Sequence, residues 1–323
     1  SFVEIYTEIL NRMRQSTVVT AITDQAKRYA NIALCDFVLG FEYQLPWLER
    51  DSHIVTMAPY TTGTVSISRG STALTGVSTL WTTANAFNVN NARTTGKISL
   101  GDNNLYGITT VGGAGSMTLS QRYVADTDLA AGAAYTYFED EYTLAADFLK
   151  PIDYRRFSVA MNIPIIGRKE FRLRYPRPNI AGTPKVATIL DKPFSGSTTP
   201  VKVVQFYPYP KANFIIPYSY ITSNLGVTAA GVEQALMSGD TDEPNIPIRY
   251  RHLIVLNAIA HWYRDKKDDN RHQSALAEYQ EGVIRVVNDQ NIGRNTVAHI
   301  QPRPGIYHQR AVYGGGRGRR FST

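Results

Sequence analysis

The first forty residues repeat their apolar positions at helical intervals. Ile5, Ile9 and Met13 recur every four residues with Tyr6 and Leu10 beside them, the spacing that lines one face of an α-helix. A second helix is expected to begin near Thr23 or Asp24, either of which suits an N-cap. It carries Ala26, Tyr29, Ala30, Ala33, Leu34, Phe37, Val38 and Phe41 before Pro46 and Trp47 end it. The period changes after Pro59. From Tyr60 to Phe138 the chain is rich in Thr, Ser, Gly and Asn, poor in charge, and alternating. Thr64–Ser68, Gly96–Leu100, Tyr106–Val111, Ser116–Leu119 and Ala134–Phe138 read as short strands, with Arg69-Gly70-Ser71 as turn chemistry. Runs of this kind predict a small antiparallel barrel or sandwich. It is inserted into a helical framework, because helical patterning resumes beyond it.

Glu141–Phe148 reads as a short helix or turn segment closed by Lys150-Pro151. Strands are expected over Arg168–Tyr175, Lys185–Leu190, Val201–Tyr207 and Asn213–Ile221. The first sets Phe171, Leu173 and Tyr175 on one face and Arg172 and Arg174 on the other. Pro208, Pro210 and Pro217 point to edge or irregular positions, and Gly226–Ser238 suits a helix. Ile248–Tyr263 has the strongest helical period, with Leu253, Leu256, Ala260 and Tyr263 three and four residues apart. A polar break at Asp265–Asn270 offers Asp269 or Asn270 as the cap of a further helix. That helix carries Ala275, Leu276, Tyr279, Val283, Val286 and Val287, and the pair makes an αα-hairpin. The expected fold is therefore α+β. A helical core comes from residues 1–58 (N-terminal helices) and 246–290 (the αα-hairpin). An antiparallel β-barrel or sandwich is inserted at 59–140, followed by a second, mixed β-rich region at 141–245. An extended basic C-terminal arm occupies 291–323.

Composition sharpens the reading of the arm. From Gln290 to Thr323 the chain has six arginines, Arg294, Arg303, Arg310, Arg317, Arg319 and Arg320, and no Asp or Glu. The whole chain has 34 basic and 27 acidic residues, so 34 − 6 = 28 basic residues remain against 27 acidic ones once the arm is set aside. Gly314–Arg320 cannot bury enough apolar surface to fold alone. Three roles compete for the arm: a solubilising tail, a nucleic-acid tail, or a segment that docks on a protein partner. The interspersed Ile300, Ile306, Tyr307, Val312 and Tyr313 exceed what a purely electrostatic tail requires and favour docking. Twenty tyrosines suit broad contact surfaces. A second basic group, Arg168, Lys169, Arg172, Arg174 and Arg177 with Tyr175, reads either as a solvent or protein-facing surface or as a contact for nucleic-acid phosphates.

Catalytic signatures are missing from the sequence: no phosphate-binding G-x-x-x-x-G-K-[ST] loop, no H-E-x-x-H and no G-x-S-x-G. Gly112-Gly113-Ala114-Gly115 lies between β-runs and reads as a loop. The six histidines are scattered, and His252 and His261 are not at ligand spacing, so they are taken as surface or interface residues. Glu139-Asp140-Glu141 reads as a solvated charge cluster, since glycan cleavage needs two carboxylates across a cleft. The single Cys35 reads as buried filler, and no cofactor or metal is expected. No apolar run approaches the roughly 20 residues of a membrane span and no secretory segment opens the chain, so a soluble protein without a signal peptide is expected.

Three segments together resemble the head–tail adaptor (connector, head completion) proteins of tailed bacteriophages. Leu39–Leu48, with Leu45-Pro46-Trp47-Leu48, is similar to the end of the N-terminal helix in that family. Gly63–Thr82, with Ser68-Arg69-Gly70-Ser71 and Leu80-Trp81, resembles its β-insert, and Tyr137–Phe148 the later counterpart of that insert. Ile246–Ile254, followed by the hairpin through Tyr279, is the third segment. The insert motif also occurs in other phage structural proteins; the order of helix, insert, sheet, hairpin and arm narrows the resemblance to adaptors. It implies a non-enzymatic virion protein at the head–tail interface, assembled in the host cytoplasm as a homo-oligomeric ring of about twelve copies. Its partners would be the portal protein, a tail or nozzle protein, and genomic DNA passing through without sequence-specific contact, with no membrane. The portal-binding arm would comprise Ile300, Arg303, Ile306, Tyr307, Arg310, Val312, Tyr313, Arg317, Arg319 and Arg320, and the arginines from Arg168 to Arg177 would face the DNA channel or an interface. The alternatives are a tail or baseplate structural protein and, further off, a virion-associated glycan hydrolase acting through Glu139 or Glu141.

Overall fold

A computed structural model describes residues 1–39, 45–177, 179–193 and 200–291. The chain divides into two compact units, Ser1–Tyr43 with Ile246–Thr323, and Gln44–Asn245. The class is α+β, with helices and antiparallel sheets. In the first unit, α1 (Phe2–Arg12) opens with a capping box in which Ser1 and Glu4 satisfy each other's backbone donors. It buries Phe2, Ile5, Tyr6, Ile9 and Leu10. Helix α2 (Thr20–Leu39) starts before the expected cap at Thr23. The Thr23 hydroxyl donates back to the carbonyl oxygens of Thr17 and Val19, so Thr23 lies within the first turns. Ala26, Ala30, Ala33, Leu34 and Phe37 are fully buried along one stripe.

In the second unit, β1 (Glu49–Val55) leads to seven strands: β2 (Thr64–Ile67), β3 (Ala73–Val77), β4 (Lys97–Ser99), β5 (Leu105–Gly113), β6 (Ser116–Leu119), β7 (Leu129–Ala133) and β8 (Thr136–Phe138). They form one antiparallel sheet in the order β7-β2-β3-β6-β5-β4-β8. The edge strands β7 and β8 are joined by Ala134 and Tyr135 alone. Two residues span less than about 8 Å, so the sheet has to roll until its edges approach. It is thus a rolled half-barrel and not two facing sheets. Its core gathers Val65, Leu74, Ile98, Tyr106, Met117 and Tyr137 around a fully buried Trp81. The Trp81 indole N–H donates to the Tyr135 hydroxyl (3.0 Å), which donates to the Thr62 carbonyl (2.7 Å). Gly63 sits at φ +84°, where a Cβ would lie 2.5 Å from the Val77 carbonyl oxygen, so no other residue fits this entry to β2.

The remaining strands are β9 (Glu141–Thr143), β10 (Phe148–Pro151), β11 (Arg156–Ser158) and β12 (Ile163–Pro164), then α3 (Arg168–Arg174), β13 (Ala181–Gly182), β14 (Val186–Pro193), β15 (Pro200–Tyr207), β16 (Tyr209–Pro210) and β17 (Ile215–Thr222). Three-stranded sheets β1-β17-β10 and β14-β15-β9 share a core of Ile54, Phe148, Phe157, Val204, Phe206 and Tyr218. Four expectations are corrected. Glu141–Phe148 is not a helix: Glu141–Thr143 pairs with β15 as a strand, and the expected turn is confined to Ala145–Phe148, closed by the Phe148 N–H to the Ala145 carbonyl at 2.9 Å. Arg168–Tyr175 is a helix ending at Arg174, not a strand. Phe171 is buried whereas Leu173 is 75% exposed, so the alternation carried no information about a buried face. Glu170 in its first turn and Arg172 and Arg174 in its last complement the helix dipole. Strand β17 is central despite Pro217. Strand β10 pairs only Tyr220–Thr222, which leaves one side of β17 without a ladder at Pro217, where a missing N–H is tolerated.

The fourth correction is Gly226–Ser238, which forms no helix. Strands β18 (Gly226–Val227), β19 (Glu233–Gln234) and β20 (Glu243–Pro244) make a small sheet with β18 in the middle. The Asp242 carboxylate organises its turn by accepting from the backbone N–H groups of Ser238 (2.8 Å) and Gly239 (2.7 Å). Those donors hold its pKa below the usual carboxylate range. The first unit is completed by α4 (His252–Asp265) and α5 (Asp269–Asn291). Neither expected cap acts; Asp268 does, its carboxylate accepting from the Arg271 N–H at 3.3 Å. Gly282 lets α5 close on α4, since a Cβ there would meet Leu253 Cδ2 at 2.2 Å. Among the described residues no helix is long and apolar enough to cross a membrane.

Candidate functional site

The basic group of the sequence grows in three dimensions. Between Tyr154 and Leu190 lie Arg155 and Arg156, then Arg168, Lys169, Arg172 and Arg174, then Arg177 and Lys185, against one acid, Glu170. Eight minus one gives +7, equal to the formal net charge of the whole chain. These segments converge on one end of the β14-β15 pair. Strand β11 pairs with β12, and the Ile165 N–H returns to the Arg155 carbonyl at 2.9 Å. The Ile166 N–H then donates to the Ala187 carbonyl of β14 at 3.0 Å. Helix α3 packs on β14 through Phe171, whose ring meets Tyr175 edge-on at 5.6 Å. Tyr175 stacks on Tyr207 at 3.9 Å, and the Lys185 N–H donates to the Tyr207 carbonyl at 3.0 Å.

Aromatic packing beneath thus holds the cations outward. Arg155, Arg156, Arg168, Lys169, Arg172, Arg174, Arg177 and Lys185 are on the exposed or partly exposed surface. Glu170 pairs with Arg174 at 2.7 Å on the open helix face, worth about 0.3–0.5 kcal/mol. Tyr154, Val159, Leu173 and Ile180 are exposed among the charges. Sequence reasoning found five of these cations and missed Arg155, Arg156 and Lys185, which join only through the β11-β12 hairpin and the register of β14. The surface can attract a polyanion or an acidic protein face. The arm residues Ile300, Arg303, Ile306, Tyr307, Arg310, Val312, Tyr313, Arg317, Arg319 and Arg320 lie outside the described residues.

The three acids Glu139-Asp140-Glu141 are not a solvated cluster. Glu139 is 1% and Asp140 0% exposed. Arg93 grips Glu139 with two nitrogens, one at 2.8 Å, and the Tyr137 hydroxyl donates to the same carboxylate. Lys97 Nζ lies 2.6 Å from Asp140 Oδ2, which also accepts from Gln205 Nε2 at 2.7 Å. Glu141 accepts from Lys97 at 3.5 Å and from Lys192. Burial pushes the Asp140 carboxyl up, with Lys97 opposing. Burial also works against the Lys97 charge, but Asp140 and Glu141 outweigh it and hold the ammonium pKa above its usual value. Arg93 and Lys97 come from the half-barrel, Lys192 and Gln205 from the β14-β15-β9 sheet, so the cluster ties the two sheets together. The sequence signal was there to be read: Tyr137-Phe138 before and Tyr142 after leave no Gly, Pro or Asn to make a solvent loop.

Among the described histidines, one is more interior than expected. His261 is buried and its Nε2 lies 2.7 Å from Asp36, while His252 is exposed. His261, Asp36, His272, Tyr279 and Ile284 line a groove of about 600 Å³ among α2, α4 and α5. Cys35 is half-buried rather than buried, and burial raises its thiol pKa away from the reactive thiolate. Of the expected loop, Gly112 and Gly113 belong to strand β5 and only Ala114 and Gly115 form the β5-β6 turn, where the Ala114 carbonyl accepts from the Thr79 hydroxyl at 2.6 Å. Among the described residues no group of three His, Cys, Asp or Glu is placed to hold a metal ion. Compared with known proteins, the chain matches no family model and no curated protein significantly.

Proposed function

We propose that this protein is a structural, non-enzymatic adaptor of a tailed-phage virion, a ring subunit that joins the portal to the tail around the DNA passage. The observation that carries the reading is the interleaved chain order. Helices α1 and α2 share one unit with α4 and α5, and the β-rich stretch between them forms the other, the succession on which the adaptor resemblance rests. A closed ring needs two different, complementary faces on each subunit, and the charge segregation of the second unit supplies unlike faces. The arginine-rich arm is the segment that reaches the portal, its apolar and aromatic residues serving as anchors. The partners are then the portal protein, a tail or nozzle protein, further copies of this chain, and DNA in transit.

A reconstruction of the intact particle tests this reading. A ring of about twelve copies beside the portal is the expected result. A sixfold or threefold position elsewhere in the tail sinks it in favour of a tail or baseplate protein. Deleting residues 300–323 is expected to abolish capture by the isolated portal while leaving the circular dichroism of the chain unchanged. Undiminished capture overturns the role given to the arm.

A further inference from the structure

Among the described residues, seven of the eight exposed cations around α3 have no carboxylate partner; only Arg174 meets one, that of Glu170. Cations elsewhere in the second unit are answered. Arg50, Arg93, Lys97, Lys192 and Lys202 each lie against an acid. A surface left so uncompensated attracts negative charge from outside the chain. We propose that the α3 surface is a phosphate-backbone site for duplex DNA, bound without regard to base sequence. This inference rests on the adaptor reading for the source of the DNA and names the surface that meets it.

Three observations favour duplex DNA over other occupants. Protein interfaces are depleted of charge at their centre, whereas protein–DNA interfaces are far more positive, and here eight cations stand against one acid. Val159, Leu173 and Ile180 are exposed singly among them, which is ordinary for a surface. A second copy of the chain offers no matching acidic module. Glu233 is held by Arg50, Asp242 by the N–H groups of its own turn, and Asp240 and Glu243 have partners of their own. Single strands are bound by stacking their bases on free aromatic rings, but here the rings are used inward. Phe171 is buried and Tyr175 stacks on Tyr207, which leaves Tyr154 as the exposed ring among the described residues of this surface. Six of the eight cations are arginines, whose planar fork matches a pair of phosphate oxygens. Phosphate contacts carry no sequence information and let a duplex slide, as a passage for DNA requires.

Fluorescence anisotropy of two duplexes of unrelated sequence, titrated with the full chain from about 50 to 200 mM salt, tests the site. One variant carries Arg155→Glu, Arg168→Glu and Arg172→Glu. A control carries Arg14→Glu, Arg28→Glu and Arg122→Glu, exposed cations outside this surface with the same change of charge. A third carries Arg155→Lys, Arg168→Lys and Arg172→Lys. The first is expected to weaken binding of both duplexes about tenfold or more and to lower the log–log salt slope by about three. The control and the lysine variant should each keep the slope to within about one. Should the first variant lose its circular dichroism, Arg155→Ala, Arg168→Ala and Arg172→Ala replace it singly, each lowering the slope by about one. The site is overturned if the wild-type chain binds neither duplex, if it binds one in strong preference, or if the first variant binds as wild type does. Equal losses in the first variant and the control overturn it too, since total charge would then be the cause. Self-association lost in the first variant with DNA binding intact gives the surface to a protein and likewise overturns it. The two readings fail separately. A portal-bound ring whose first variant still binds DNA keeps the adaptor and discards this site. Selective loss of DNA binding in a protein absent from the portal keeps the site and discards the adaptor.

Discussion

Two charged stretches of this chain lie close together in sequence and meet opposite fates. Glu139–Glu141 is enclosed, with Arg93, Lys97 and Lys192 supplying a cation for each carboxylate. The eight cations between Tyr154 and Leu190 face outward with Glu170 as their one local acid. Burying an unpaired charge costs far more than a fold can spare, so a run of one sign goes inside only when distant residues deliver the opposite sign. The first run has such partners and becomes a joint between two sheets. The second has only Glu170 against eight cations and stays on the solvent-facing surface.

The most severe way to break this contrast is to strip the buried run of a partner. Lys97→Met leaves Asp140 ionised and enclosed, and is expected to cost about 3–5 kcal/mol of unfolding free energy. Chemical denaturation measures it, and a loss under 1 kcal/mol would mean that Asp140 is solvated after all. Alkaline pH should act next, through the tyrosines that pack around the joint and the half-barrel core. Burial raises Tyr137 well above 10.0, and Tyr106 and Tyr135 to about 12. The unfolded chain therefore releases protons above pH 10 that the folded chain keeps, and stability falls as pH rises from there. Hydroxide titration followed at 295 nm should show these groups ionising together with unfolding; independent ionisation in a folded chain contradicts their burial.

Gentler changes sharpen the other side of the contrast. Arg168→Ala and Arg172→Ala should alter stability by no more than about 0.5 kcal/mol. Each should nonetheless lower the salt dependence of binding to heparin, used as a polyanion probe, by about one in the log–log slope. A folding defect in either variant would place that arginine in a buried pair like those of the joint. Glu170→Ala should have the smallest effect, a few tenths of a kcal/mol from an exposed pair. If thermal melting shows it to be large, α3 depends on that pair more than on Phe171.

Legibility followed the range of the physics involved. Thr64–Ile67 and Ser116–Leu119 were readable as strands because one side of each is buried and every second residue reports it, and Val201–Tyr207 because its β-branched and aromatic residues favour a strand even where Val203 and Val204 are both buried. Helix α4 was readable because Leu253, Ile254, Ala258 and Ile259 keep a helical period against the core. Helix α3 was not: with Phe171 its one buried residue, the chance alternation of Phe171, Leu173 and Tyr175 had no face to report. The β18-β20 module escaped for a related reason, since strands of two residues are shorter than any period. Of the candidate surface, the five cations from Arg168 to Arg177 were visible as a run, and the three added by the β11-β12 hairpin and β14 were not.

By itself the sequence determined the long helices, the alternating stretch after Pro59, the basic arm and the run of cations from Arg168 to Arg177, because period and composition are local properties. Tertiary structure alone decided which charges are spent inside and which face out. Arg93 meets Glu139 across 46 positions, Lys97 meets Asp140 across 43 and Lys192 meets Glu141 across 51. Compensation at that range depends on how the half-barrel and the neighbouring sheet come together, and no local window of the chain contains it.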